Sequence, residues 1–241
     1  KLNEAEQAYN KAILLNSNKV HAYYNLGKVL KDQGKLDDAI SAYKNCIFLS
    51  PDYAEAYNNI GNIYKNSGSL NKAIKYYNKS ITLKPDYVEA YVNKGLTLHA
   101  QGKLDQAIIL YNKAKSLRPN NAEVYNNMGN VFNDEGNHKE AIKVFNKALT
   151  IRPNYPEAFS NMGNSFQNQG KSKEAIKAYN KALLLKPDYA EAHCNKGIAL
   201  KDLGKLKDAI KAYSKAIFLK PNYAEAHQNL SFSLLQSFRT K

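Results

Sequence analysis

Glycine recurs at residues 27, 61, 95, 129, 163 and 197, a spacing of 34 that never slips, and a second series at 34, 68, 102, 136, 170 and 204 follows seven residues behind. A period of this size specifies a stack of equivalent small units, each burying its apolar face on the next, rather than a conventional globular core. The 241 residues therefore count about seven units in one array, with no internal domain boundary expected.

A single period shows what the unit is. In residues 51–84, Ala54, Tyr57, Gly61 and Tyr64 recur at three- and four-residue steps, as do Leu70, Ala73, Tyr77 and Ser80. These steps predict two amphipathic helices joined by a turn at Gly68. Gly61 and Ala73 let the two backbones approach, Tyr57, Tyr64 and Tyr77 fill the space around them, and Pro85 closes the second helix. The start of each first helix predicts a capping box: Asp52 as N-cap with Glu55 returning a bond. The pairs Asp86/Glu89, Asn120/Glu123, Asn154/Glu157, Asp188/Glu191 and Asn222/Glu225 repeat it, and Pro156 falls within the first turn of its helix.

Tyr57, Ile60, Gly61, Tyr64, Ala73, Tyr77 and Pro85 resemble the tetratricopeptide repeat pattern, and the resemblance covers the whole chain. The tryptophan usual in that family is replaced by Tyr23, Tyr57, Tyr91, Tyr125, Phe159, His193 and His227. The resemblance implies an all-α fold, a right-handed superhelical solenoid of antiparallel helix pairs with the first helices lining a concave groove. Residues 1–241 are read as one array: 1–19 the second helix of a partial repeat, full repeats at 20–53, 54–87, 88–121, 122–155, 156–189 and 190–223, and 224–241 the first helix of a partial or capping repeat.

With residues 20, 54, 88, 122, 156, 190 and 224 as position 1, the resemblance places positions 2, 5, 6, 9, 12 and 13 on the groove. Position 6 is asparagine without exception: Asn25, Asn59, Asn93, Asn127, Asn161, Asn195 and Asn229. A primary amide offers a donor beside an acceptor, as a peptide bond does, so such a ladder can hold a peptide main chain without reading side chains. First helices about 10 Å apart would meet an extended ligand, rising about 3.3 Å per residue, at roughly every third residue. The ladder resembles the groove of O-GlcNAc transferases, where asparagines grip substrate peptides; an inter-helix bonding role for the same residues stands as the alternative. Position 2 is His21 and then glutamate, which does not match a carboxylate-clamp chaperone binder. Tyr24 and His99 are further candidate ligand contacts on the groove.

The formal charge of +14 raises nucleic acid as a partner, so the charges must be assigned to faces. Groove positions carry Lys28, Lys31, Lys65 and Lys201 against six glutamates and Asp32, Asp134 and Asp202, a net of −5, which predicts a preference for basic peptides. The excess lysine lies on the second helices: position 26 supplies Lys11, Lys79, Lys113, Lys147, Lys181 and Lys215, position 22 supplies Lys75, Lys143, Lys177 and Lys211, and position 31 is again basic. Dipole complementation and solubility account for much of this, so nucleic acid or membrane attachment is the third reading.

No nucleophile and base pair, phosphate loop or metal-ligand spacing emerges: His193, His227 and His138 replace packing residues, leaving His21 and His99 on the groove. No enzymatic activity, cofactor, metal or small-molecule substrate is expected in these residues. Cys46 and Cys194 form no disulfide framework and fit a reducing, cytoplasmic setting. No apolar run reaches bilayer length, and the first residues lack a secretory signal's pattern. The last segment departs from the pattern, with Ser231 and Phe238 where glycines are due, and resembles the terminal repeat before the catalytic region of some bacterial glycosyltransferases. Leu234, Leu235 and Phe238 would then form an apolar edge that packs on a further helix, or that self-associates or frays. The functional expectation is a scaffold binding an extended protein or peptide segment in its groove; the alternative is the substrate-recognition arm of a glycosyltransferase.

Overall fold

The turn inside each repeat is set by one glycine. In a computed structural model describing residues 1–239, Gly34, Gly68, Gly102, Gly136, Gly170 and Gly204 adopt φ of 72° to 79°, left-handed backbone that a side chain disfavours. Each closes the preceding helix as a Schellman motif: Lys35 N–H donates to the Leu30 carbonyl at 2.9 Å and Gly34 N–H to that of Lys31 at 3.0 Å, and the same pair recurs in every repeat. The chain can then reverse within three residues and start an antiparallel helix.

Two compact units result, each a stack of such hairpins. The first, Lys1–Pro119, contains α1 (Leu2–Leu15), α2 (Val20–Asp32), α3 (Leu36–Leu49), α4 (Ala54–Asn66), α5 (Leu70–Leu83), α6 (Val88–Ala100) and α7 (Leu104–Leu117). The second, from Asn120 on, contains α8 (Ala122–Asp134), α9 (His138–Ile151), α10 (Pro156–Asn168), α11 (Ser172–Leu185), α12 (Ala190–Asp202), α13 (Leu206–Leu219) and α14 (Ala224–Arg239). No strand occurs among the described residues. Within each unit every helix packs on its neighbours in sequence, and first helices also touch one another, α4 with α6 in the first unit and α8 with α10, α10 with α12 and α12 with α14 in the second, so the tetratricopeptide hairpin stack read from the repeat is the observed architecture.

The core of each hairpin is an aromatic ring laid on a glycine. A β-carbon at Gly163 would stand 2.5 Å from Cε1 of Tyr179, and Gly27/Tyr43, Gly61/Tyr77, Gly95/Tyr111, Gly129/Phe145 and Gly197/Tyr213 repeat the contact. Ala39, Ala73, Ala107, Ala141, Ala175 and Ala209 are fully buried beside these rings. The Tyr77 and Tyr179 hydroxyls reach through the helix layer and donate to Oδ1 of Asn62 and Asn164, both at 2.8 Å. Ile198 occupies the equivalent of Asn164, and the buried Tyr213 hydroxyl has no partner among the described residues. Removing a satisfied hydroxyl that leaves its partner amide half-buried costs about 1 kcal/mol, whereas removing an orphaned one recovers a desolvation cost of similar size. We expect Tyr179→Phe to lower and Tyr213→Phe to raise the urea unfolding free energy by about 1 kcal/mol each; changes of the same sign in both would refute the assignment.

The predicted capping boxes are not formed. Tyr53, Tyr87, Tyr155 and Tyr189 are the N-cap residues of α4, α6, α10 and α12 and make no side-chain cap bond. Asp52 instead accepts from the Ser50 hydroxyl at 2.6 Å, and only at α8 does a side chain cap these helices, with Asn121 rather than Asn120 accepting from Glu123 N–H at 3.0 Å. The linker bends one residue later than the sequence pattern places it, which carries the acidic side chain away from the helix. Pro156 is the first residue of α10, where its missing donor is not needed. Three of the seven tryptophan substitutes share a bond: Tyr91 Oη donates to the Pro85 carbonyl at 3.1 Å, and Nε2 of His193 and His227 to those of Pro187 and Pro221 at 3.0 and 2.8 Å. A carbonyl only accepts, so both imidazoles carry a proton on Nε2.

The α14 helix shows what the missing glycine does. With Phe238 in place of the turn glycine it runs for 16 residues instead of 13, and Phe232, Leu235 and Phe238 are 58, 62 and 72% exposed.

Candidate functional site

The position-6 asparagines lie on first helices, and most are tied to the preceding first helix of their unit. In the first unit, Asn59 Nδ2 donates to Tyr24 Oη at 3.3 Å and Asn93 Nδ2 to Asn58 Oδ1 at 3.1 Å. In the second, Asn161 Nδ2 donates to Asn126 Oδ1 at 3.2 Å and Asn195 Nδ2 to Asn164 Oδ1 at 3.0 Å. Asn25 and Asn229 are half-buried on α2 and α14, whereas Asn127 on α8 is buried and its Nδ2 has no partner among the described residues. The alternative role of bonding between helices is therefore real for four of the seven. It uses one N–H of each amide; the carbonyl oxygens of Asn59, Asn93, Asn161 and Asn195 accept no hydrogen bond among the described residues. The bond to the neighbouring repeat fixes the orientation of the remaining donor and acceptor.

In the second unit this surface forms a cavity of about 350 Å³ between α10 and α12, lined by Asn164, Gln167, Asn168, Asn195 and Ile198 over Tyr179. The lining is amide-rich, without an unpaired charge: Gln167 Nε2 donates to Asp202 Oδ2 at 2.5 Å. Asn168 is exposed on its rim. Repeat position suggests Asn195; the position-9 and position-12 amides, Asn164 and Gln167, were not singled out by the sequence because those positions vary from repeat to repeat.

Tyr24 sits within the packing between repeats, with ring centroids 4.9 Å from Tyr53 and 5.8 Å from Tyr43, and burial raises its phenol pKa. Its hydroxyl accepts from the asparagine ladder, so it supports that row as well as lining the groove. His99 is half-buried near the end of α6.

The acidity read from the sequence is largely cancelled. Glu55 and Glu89 accept from Lys84 Nζ and Arg118 Nη1 at 2.7 and 2.8 Å, and in the second unit Lys186 and Lys220 lie 3.9 and 3.1 Å from Glu157 and Glu191. Each pair joins the start of a first helix to the end of the second helix of its own repeat, 29 residues away. With these four neutralised, the groove count moves from −5 to −1, so the charge argument for a basic ligand fails. Burial pushes the Glu55 carboxyl up, but its bonds to Lys84 and to its own backbone outweigh this and hold it below the ordinary 4.5; Glu191 is held low by its own N–H and by Lys220. A depressed carboxyl stabilises the fold above its unfolded value and ceases to do so as pH falls through its folded value. We expect the urea unfolding free energy to fall as pH drops below about 4.5, by about 0.5 kcal/mol per exposed pair, with Glu55→Gln and Glu191→Gln flattening the profile.

Both cysteines are free and fully buried. No group of metal-ligating side chains occurs among the described residues, and none of their helices is long and apolar enough to cross a membrane.

Comparison with known proteins agrees with this architecture. A chain of the APC/C Cut9–Hcn1 hetero-tetramer superposes with a TM-score of 0.83 at 18% identity, over 97% of this chain and 46% of that one, so the present chain spans under half of its length. PilF from Pseudomonas aeruginosa gives 0.74 at 18% identity over 94% of this chain and 97% of that one. YrrB, a tetratricopeptide protein with an unusual peptide-binding site, gives 0.59 at 22% identity over 78% and 97%. No curated protein matches in sequence. A family model does, over residues 1–217, and with glycine, alanine and aromatic positions in register throughout, the chain belongs to the tetratricopeptide family described as the cilia and flagella-associated protein 70 C-terminal domain.

Proposed function

We propose that the chain is a non-catalytic interaction scaffold whose first helices hold an extended peptide segment by its main chain. One observation carries this reading: the amide groups of Asn59, Asn93, Asn161 and Asn195 are oriented by a bond to the preceding repeat while their carbonyl oxygens accept no hydrogen bond among the described residues. A row of fixed amides can bond to backbone N–H and C=O groups at a small entropic cost, because the receptor is ordered before the ligand arrives. The cavity between α10 and α12 supplies room for a side chain beside that row, and Asn127 adds a buried N–H in need of an acceptor. A peptide-binding site in the similarly folded YrrB agrees with this reading. With four of the six groove glutamates paired to a lysine or arginine, ligand charge is a minor part of recognition beside the main-chain contacts.

The test places a photo-crosslinking amino acid at Asn168, on the rim of the groove cavity, or at Lys177, on a second helix away from it, and exposes both proteins to a cell lysate. Crosslinked peptides from position 168 that share no side-chain consensus, with few from 177, are expected. Crosslinks from 177 alone would move the working surface to the lysine-rich second helices.

A further inference from the structure

The helix α12 breaks the apolar pattern on the side away from the groove. At position 7 the first helices carry Leu26, Ile60, Met128, Met162 and Leu230, but Lys196 here and Lys94 in the first unit; at position 4 they carry tyrosine or phenylalanine, but His193 here and His227 in α14. Only α12 has both replacements. At 100° per residue, residues 193 and 196 share one face, about half a turn away from the groove positions around Asn195 and Ile198.

Where the larger apolar side chains are missing, a cavity of about 420 Å³ opens between α11, α12 and α13, separate from the groove cavity. His193 and Lys196 line it from α12, Lys211 and Lys215 from successive turns of α13, and Asn180 from α11; one carboxylate, Asp208, lines it too. Lys196 is half-buried. In contrast to Lys84, Arg118, Lys186 and Lys220, each within 4 Å of a glutamate, Lys196, Lys211 and Lys215 have no ion pair among the described residues, although Lys215 Nζ also lies 4.9 Å from the Phe218 ring. Three lysines thus line one concave space with a single carboxylate among them. Burial of the His193 imidazole lowers its pKa, its bond to the Pro187 carbonyl opposes this, and the nearby Lys196 and Lys215 lower it further.

We propose that this cavity is an anion site for a phosphate monoester carried by a small organic molecule. Several ammonium donors arranged around one space match a dianion with three free oxygens better than a single carboxylate. The apolar part of the lining and a volume within the range of small-molecule sites leave room for the organic group. A bound dianion would relieve the repulsion among the lysines, so the site stabilises the fold when filled.

Phenyl phosphate and inorganic phosphate serve as probes, added to the whole chain at constant ionic strength while the His193 imidazole resonances and the melting temperature are followed. Saturable shifts at His193, a rise in its titration midpoint and a higher melting temperature are expected, with phenyl phosphate binding more tightly than phosphate. Lys196→Leu installs the residue that Leu26 and Leu230 provide elsewhere, so the variant should fold; it and Lys211→Gln should each weaken binding at least tenfold. Lys177→Gln, at the position equivalent to Lys211 one repeat earlier, should leave it unchanged. Shifts that do not saturate, that chloride reproduces, or that survive unaltered in folded Lys196→Leu would overturn the proposal.

Discussion

Alanine at Gly163 should destabilise the fold by about 2 kcal/mol or more, although it replaces a poor helix former with the best one. The new methyl carbon would sit 2.5, 2.8 and 2.9 Å from Cε1, Cδ1 and Cζ of Tyr179. That ring is 1% exposed and held at its tip by Asn164, so it has nowhere to move. Overpacking of this kind costs about 1–3 kcal/mol or more, against a gain in helix propensity of about 1 kcal/mol. Because the clash involves three ring atoms of a pinned side chain, the cost belongs at or above the top of that range. Gly170 gives the contrast: nothing lies within 4 Å of its absent β-carbon, but its φ is +72°, so Gly170→Ala should lose only about 1 kcal/mol through backbone strain. Urea titrations of the two variants separate packing from conformation. Combining Gly163→Ala with Tyr179→Leu should recover part of the loss, because the smaller side chain leaves room for the methyl; strictly additive losses would show that the ring is not the obstacle.

This contact also shows how far the repeat was legible. A glycine seven residues before each turn, an alanine and an aromatic ring at fixed offsets point to a close helix pair, and Gly61 with Tyr77 is that pair in space. The order of elements needed only the period and the turn glycines. The role of the acidic position that recurs in the repeats is not legible in the same way. Glu55 lies three residues after Asp52, a spacing that local rules read as a capping box, yet its partner is Lys84 across the hairpin. Short-range spacing cannot see a bond that exists only after the two helices have folded together. The ladder hid its bonds for another reason. The donor is asparagine every time, but its acceptor is Tyr24, Asn58 or Asn126 at position 5, a position that elsewhere reads Val92, Ser160, Cys194 and Gln228, and for Asn195 it shifts to Asn164 at position 9. The cavity beside α12 was half visible: His193 was recognised as a packing substitute, but only the fold brings Lys196, Lys211 and Lys215 to the same space.

Asn161→Asp should weaken peptide binding at least tenfold, about 1.4 kcal/mol, and also cost the fold about 1–3 kcal/mol. The carboxylate keeps the acceptor but loses the N–H that holds Asn126 Oδ1 at 3.2 Å, and turns a bond between repeats into repulsion between two oxygens. One variant therefore cannot tell whether the ladder binds or braces, and alanine alone has the same defect. A double-mutant cycle does. Asn126→Ala removes the brace and leaves the Asn161 amide intact, so the coupling between Asn126→Ala and Asn161→Ala in urea unfolding should be about 1 kcal/mol, the worth of the bond. If the carbonyl and second N–H of Asn161 grip a main chain, Asn161→Ala will still lower peptide affinity in the Asn126→Ala background, by a factor similar to that in the parent. If the asparagine serves only to hold α10 against α8, the affinity loss will appear with Asn126→Ala alone and Asn161→Ala will add nothing to it. The peptide to use is the segment captured from position 168, measured by anisotropy at a temperature well below the melting point of the weakest variant. Binding and bracing are compatible in one side chain because a primary amide has four hydrogen-bonding sites and the neighbouring repeat takes one. Any substitution at this row that preserves both functions must keep a donor toward the preceding helix and an acceptor toward the groove, which among the common side chains of this size leaves asparagine.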